Sequence, residues 1–123
     1  MKTLKTTTLS GIAILLLIVL MNKAKAQEAT IAEVKIKTSA ICSMCKETIE
    51  KSLAFEKGVK RSNLDVASKE ITVVYNPKKT DPEKIRIAIS KAGYDADEVF
   101  ADKKAYDKLE ACCKKGAVCT DKK

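Results

Sequence analysis

The chain has no histidine and no tryptophan among its 123 residues. Without histidine, imidazole is excluded both as a metal ligand and as a general acid or base. Three tyrosines and two phenylalanines make up the aromatic content. A sheet that reads RNA stacks bases on two or three aromatics of its central strands. Here only Tyr75 falls in such a run, so nucleic acid is not expected as a partner. The four glycines form no phosphate-cradling loop, and no paired carboxylates stand in a matched context. No catalytic set is visible, and the chain is not expected to be an enzyme.

Apolar runs are short except at the start. Met1-Lys2 and Lys5 give a basic opening, Ile12 to Met21 is unbroken and apolar, and Ala24-Lys25-Ala26 precedes Gln27. This is the pattern of a secretory signal with an A-x-A cleavage site. The run falls short of the roughly 20 residues that span a bilayer, and no cysteine stands near the cleavage point to make it a lipoprotein signal. Residues 1–26 are therefore expected to be removed, giving a periplasmic or secreted protein. Taking 26 residues from 123 leaves 97, enough for one small core. The signal carries four lysines and no acid, so the net charge falls from +8 to +4. The remaining charges are interleaved, as on a solvated surface.

The mature chain reads strand, helix, strand, strand, helix, strand. Ala32, Val34 and Ile36 alternate with Glu33, Lys35 and Lys37, predicting a half-buried strand over about 31–38. Ile49 and Leu53, flanked by charges, predict an amphipathic helix over about 44–56. Gly58 is placed as its left-handed C-terminal cap. Val59 to Val66 and the β-branched Ile71 to Tyr75 predict two strands joined by a polar turn. Thr80-Asp81-Pro82-Glu83 opens a second helix, with Thr80 and Glu83 at capping-box spacing. Its apolar face is Ile85, Ala88, Ile89 and Ala92, and Tyr94 to Phe100 returns as a short strand. The order βαββαβ predicts an α+β, ferredoxin-like sandwich with both helices on one sheet face. A cysteine-containing C-terminal tail follows over 101–123. In it Asp102 caps a short helix through Leu109, and the final Lys122 and Lys123 fray.

All five cysteines lie after the signal: Cys42, Cys45, Cys112, Cys113 and Cys119. Export brings oxidising conditions and hence a possible disulfide framework, but an odd count leaves at least one thiol over. Cys42-Ser43-Met44-Cys45 sits between the first strand and the first helix. Two thiols three positions apart, at a helix N-terminus whose partial positive charge favours thiolate, can converge on one soft cation. Thiolates select Cu(I), Zn(II) and, by the same softness, Hg(II) or Cd(II). Two of them suit linear or trigonal coordination better than the four-ligand shell of structural zinc. In an exposed loop such a pair can also pass its ion on by ligand exchange. The same pair can cycle between dithiol and disulfide or form a structural bridge. From the residues alone, metal, redox and structural readings all stand.

Residues from about Thr30 to Phe100 resemble the heavy-metal-associated domain family. The matching residues are Cys42-Ser43-Met44-Cys45, Gly58-Val59, Tyr75-Asn76-Pro77 and Lys91-Ala92-Gly93-Tyr94. That family includes copper chaperones, the amino-terminal domains of metal-exporting ATPases and periplasmic mercury-binding proteins. The resemblance implies a domain over 27–100 in which Cys42 and Cys45 bind a soft metal and Tyr94 lies near the loop. By residue type alone, Tyr94 is a half-buried core tyrosine with its hydroxyl at solvent. Ser39 and Ala40 stand where the family usually has glycine and methionine. Met44 offers a weak thioether, although methionine more commonly just fills space.

The expectation is an exported, monomeric metal-binding protein. Cu(I) is the first choice and Hg(II) the second, with Zn(II) and Cd(II) also admitted. The ion is buffered or handed to a membrane metal transporter or a second metal-binding domain. The alternative is a thiol–disulfide oxidoreductase using the same pair. Cys112, Cys113 and Cys119 are secondary metal candidates. They bind a second ion, fold over the first, or pair among themselves or with the loop. With the domain complete by Phe100, they are expected to modulate the site without being essential.

Overall fold

The computed structural model describes residues 30–118. The signal segment 1–26, the expected new N-terminus at Gln27, and Cys119, Lys122 and Lys123 lie outside the described residues. Three strands form one antiparallel sheet in the order β1–β3–β2: β1 is Ala32–Lys37, β2 Val59–Asp65 and β3 Glu70–Tyr75. β1 and β3 pair from Ala32 opposite Tyr75 to Lys37 opposite Glu70. β2 carries an irregularity between Val59 and Arg61. Helix α1 spans Ser43–Ala54 and α2 spans Pro82–Lys91. Among the described residues no helix is long and apolar enough to cross a membrane.

The core is what the two periodicities predict. Ile36, Ile71 and Val73 of the sheet meet Ile49 and Leu53 of α1 and Ile85 and Ile89 of α2, and all are fully buried. Alternation along β1 puts Ile36 inside and Lys35 and Lys37 outside, because successive strand residues face opposite sides. β2 is an edge strand, and α1 supplies polar partners to it. Glu50 accepts the Leu64 N–H at 2.7 Å, and the Lys46 ammonium donates to the Leu64 carbonyl at 2.8 Å.

Three local expectations are corrected. The fourth strand is reduced to isolated bridges, Thr38 with Ala96 and Ala96 with Val99. Asp97 explains this: it takes a left-handed φ of 51° and turns the chain. Its carboxylate accepts from the Lys37 N–H at 2.9 Å and from Arg86 Nε at 2.9 Å. The side chain takes the Lys37 N–H while the Asp97 N–H still donates to the Lys37 carbonyl at 2.8 Å, and the segment keeps the place beside β1 that the βαββαβ order requires. The second helix is capped by Asp81, which accepts the Lys84 N–H at 2.9 Å. Thr80 is instead buried, with its hydroxyl unpartnered. Finally, α1 stops at Phe55, so Gly58, at φ 91°, turns the chain into β2 rather than capping the helix.

The tail is packed, not trailing. A short helix α3, Lys103–Asp107, is capped by Asp102 as expected. A 3-10 turn, Ala111–Cys113, follows. Leu109 and Cys112 pack against the core and Cys113 lies within it. Lys115 pairs with Asp95 at 2.6 Å, and its N–H donates to the Tyr106 hydroxyl at 3.0 Å. The hydrophobic core is therefore not closed by Phe100.

Candidate metal centre

The cysteine loop is fixed from both sides. The Thr38 N–H and hydroxyl both donate to the Lys69 carbonyl, and the Ala40 N–H donates to the Thr38 hydroxyl at 3.2 Å. The Ser39 hydroxyl accepts the Asp95 N–H at 2.9 Å, tying the loop to the chain after α2. Ala40 is fully buried beneath it. These contacts give structural work to the two positions where the family usually has glycine and methionine.

Cys42 is the extended residue preceding α1, and Cys45 lies in its first turn. Their sulfurs are 3.3 Å apart, in thiol–thiol contact and well beyond the roughly 2 Å of a bonded disulfide. Cys42 is 4% exposed and Cys45 0%. The two thiols are therefore buried rather than exposed, although Ser43 and Met44 between them stay at the surface. Cys113, itself 4% exposed, lies against Cys45 and Tyr94. The sulfurs of Cys42, Cys112 and Cys113 all fall within 4.8 Å of one another. Cys112 Sγ also donates to the Met44 thioether at 3.7 Å, while Met44 itself is largely at the surface.

Tyr94 is where the resemblance places it, beside the loop, and it is completely buried rather than reaching solvent. Its hydroxyl makes no well-formed hydrogen bond, although the Cys113 and Cys45 thiols neighbour it. Burial raises the tyrosine well above its ordinary range, and the two thiols add to this. Burial likewise raises the Cys113 thiol, and Cys45 reinforces the effect. Both groups are held in their neutral forms, and ligation by Cys113 would require its proton to leave. Desolvation pushes Asp95 up. Lys115 and the Ala101 N–H outweigh it and hold the carboxylate below its usual value.

The site thus brings together Cys42, Cys45, Cys112 and Cys113, four of the five expected candidates; Cys119 lies outside the described residues. Cys113 shows no disulfide bond. Convergent, mostly buried thiols suit a soft cation, and no carboxylate is grouped with them.

Residues 37–95 match the sequence profile of the heavy-metal-associated domain. This stretch is similar to that domain over just under half of the chain. Over 59 residues it is 36% identical to a copper-exporting P-type ATPase of Staphylococcus aureus, covering 48% of this chain and 7% of that protein. The water-soluble region of the P-type ATPase CopA from Bacillus subtilis superimposes with a TM-score of 0.54 at 30% identity, covering 57% of this chain and 47% of that one. Oxidized MerP from Ralstonia metallidurans CH34 superimposes with a TM-score of 0.52 at 24% identity, covering 55% and 94%, which is a likeness of fold. The heavy-metal-associated domain by itself is non-catalytic. The tail that covers the loop lies beyond the matched residues.

Proposed function

We propose that this is an exported binding protein for a soft, thiophilic metal ion, with Cys42 and Cys45 as its ligands. The observation that carries the reading is the 3.3 Å approach of these two sulfurs at the start of α1. Cu(I) is the preferred cargo, since relatives named for copper export share the domain. Hg(II) is second; Zn(II) and Cd(II) share the thiolate preference. The protein acts as a monomer in the periplasm or outside the cell after cleavage behind Ala26. It captures the ion and buffers it or hands it to a membrane metal transporter or a second metal-binding domain. It is not an enzyme.

Metal analysis of protein purified without oxygen from its native compartment tests this. Cu(I) or another soft ion bound in a one-to-one ratio supports the reading. A metal-free protein with an oxidising Cys42–Cys45 disulfide overturns it in favour of a thiol–disulfide oxidoreductase.

A further inference from the structure

The C-terminal tail is held over the cysteine loop by contacts that owe nothing to sulfur. Lys115 pairs with Asp95, and Leu109 packs against the core. The backbone of Ala105 lies against Gly93, where an added Cβ would stand 3.1 Å from the Ala105 carbonyl. These anchors deliver the turn Ala111–Cys113 to the mouth of the site. Cys113 is buried against Cys45, and Cys112 meets Met44 of the loop itself.

The spacing is that of a coordination shell. An ion that holds thiolates at about 2.3 Å sets neighbouring sulfurs about 4 Å apart. The Cys42, Cys112 and Cys113 sulfurs lie within 4.8 Å of one another, and Cys45 Sγ is 3.3 Å from Cys42 Sγ. Cys45 Sγ lies outside that triad but adjoins it, touching Cys42 and neighbouring Cys113, so a four-thiolate shell needs Cys45 to turn toward the other three. We propose that Cys112 and Cys113 join Cys42 and Cys45 as ligands to one ion, so that the tail closes a four-thiolate site. The proposal rests on the Cys42–Cys45 site and enlarges it. It changes the cargo class: a four-thiolate shell suits a divalent d10 ion, Zn(II) or Cd(II), whereas two thiolates suit a linear ion. It also changes the behaviour, because a covered ion leaves slowly unless the tail lifts.

The test uses Cd(II) as probe and X-ray absorption to count sulfur ligands. The chain runs from Gln27 to Lys123 and carries Cys119→Ser, so that the fifth sulfur contributes nothing. Four sulfurs per cadmium are expected in this chain and two after Cys112→Ser with Cys113→Ala. Two sulfurs in the chain that keeps all four thiols overturns the proposal, and that count stands even if the double variant fails to fold. Cys42→Ser with Cys45→Ser separates the two readings. Lost binding in that variant beside a two-sulfur shell in its parent removes only the tail ligands. Binding that survives in it unchanged overturns the Cys42–Cys45 site as well.

Discussion

Gly93 is the hinge on which the tail's position depends, and Gly93→Ala tests that dependence. The residue has φ 101°, a conformation that side chains rarely adopt. An alanine Cβ there would lie 3.1 Å from the Ala105 carbonyl carbon and oxygen and 3.1 Å from Leu109 Cδ2. Two of these are backbone atoms of α3, which cannot swing aside as a flexible side chain can. Left-handed strain costs about 1–2 kcal/mol, and an extra methyl forced into a packed contact costs about 1–3 kcal/mol. The sum is about 2–5 kcal/mol, a large share of the roughly 5–15 kcal/mol that holds a small domain folded. The chain can relieve the clash by lifting α3, but it then exposes Leu109 and Cys113. Gly116 supplies the control: it has φ 78° and nothing within 4 Å of the added atom. Gly116→Ala should therefore cost only the strain, about 1–2 kcal/mol. Urea denaturation under reducing conditions measures both losses, and the alkylation rate of Cys113, read by peptide mass spectrometry, reports whether the tail has lifted. If Gly93→Ala costs no more than Gly116→Ala and leaves Cys113 equally protected, the tail is not packed as described.

Asp81→Ala should destabilise the fold through loss of the α2 cap, whereas Thr80→Val should be neutral or stabilising because the buried hydroxyl has no partner; urea midpoints distinguish the two. Asp95→Asn should weaken tail docking by about 1 kcal/mol at neutral pH, since the pair with Lys115 is partly exposed. Because the Asp95 pKa is depressed in the fold, its contribution is present above the unfolded carboxylate value of about 4 and is lost as pH falls through the folded value. The stability gap between Asp95→Asn and the parent should accordingly close in acid, and a gap constant down to pH 2 would refute the assignment. The mature protein should begin at Gln27 by mass spectrometry, and an apolar segment retained in the membrane fraction would contradict export.

What the sequence makes legible follows the reach of local patterns. Ile49 and Leu53, four apart, and the alternation at Ala32, Val34 and Ile36 are local signals, and they place α1 and β1 to within about two residues. The cysteine loop follows from the same reading. The fourth strand is not legible, because its loss depends on Asp97 reaching Lys37, sixty positions away. The Thr80 and Glu83 spacing imitates a capping box, but burial of Thr80 leaves Asp81 to cap. The tail was readable as a short helix from Asp102. Its docking was not, because the Lys115–Asp95 pair and the Gly93–Ala105 contact have no short-range pattern. Burial of Cys113 against Tyr94 follows from that docking and was equally out of reach.

The central claim is that Cys42 and Cys45 hold a soft metal ion. Competition of the reduced mature chain against a colorimetric Cu(I) chelator tests it most directly, with Cys42→Ser and Cys45→Ser measured beside the parent and folding checked by circular dichroism. The parent should bind one Cu(I) per chain, and each variant should keep its fold and lose affinity by orders of magnitude. Folded variants that bind Cu(I) as tightly as the parent would contradict the account.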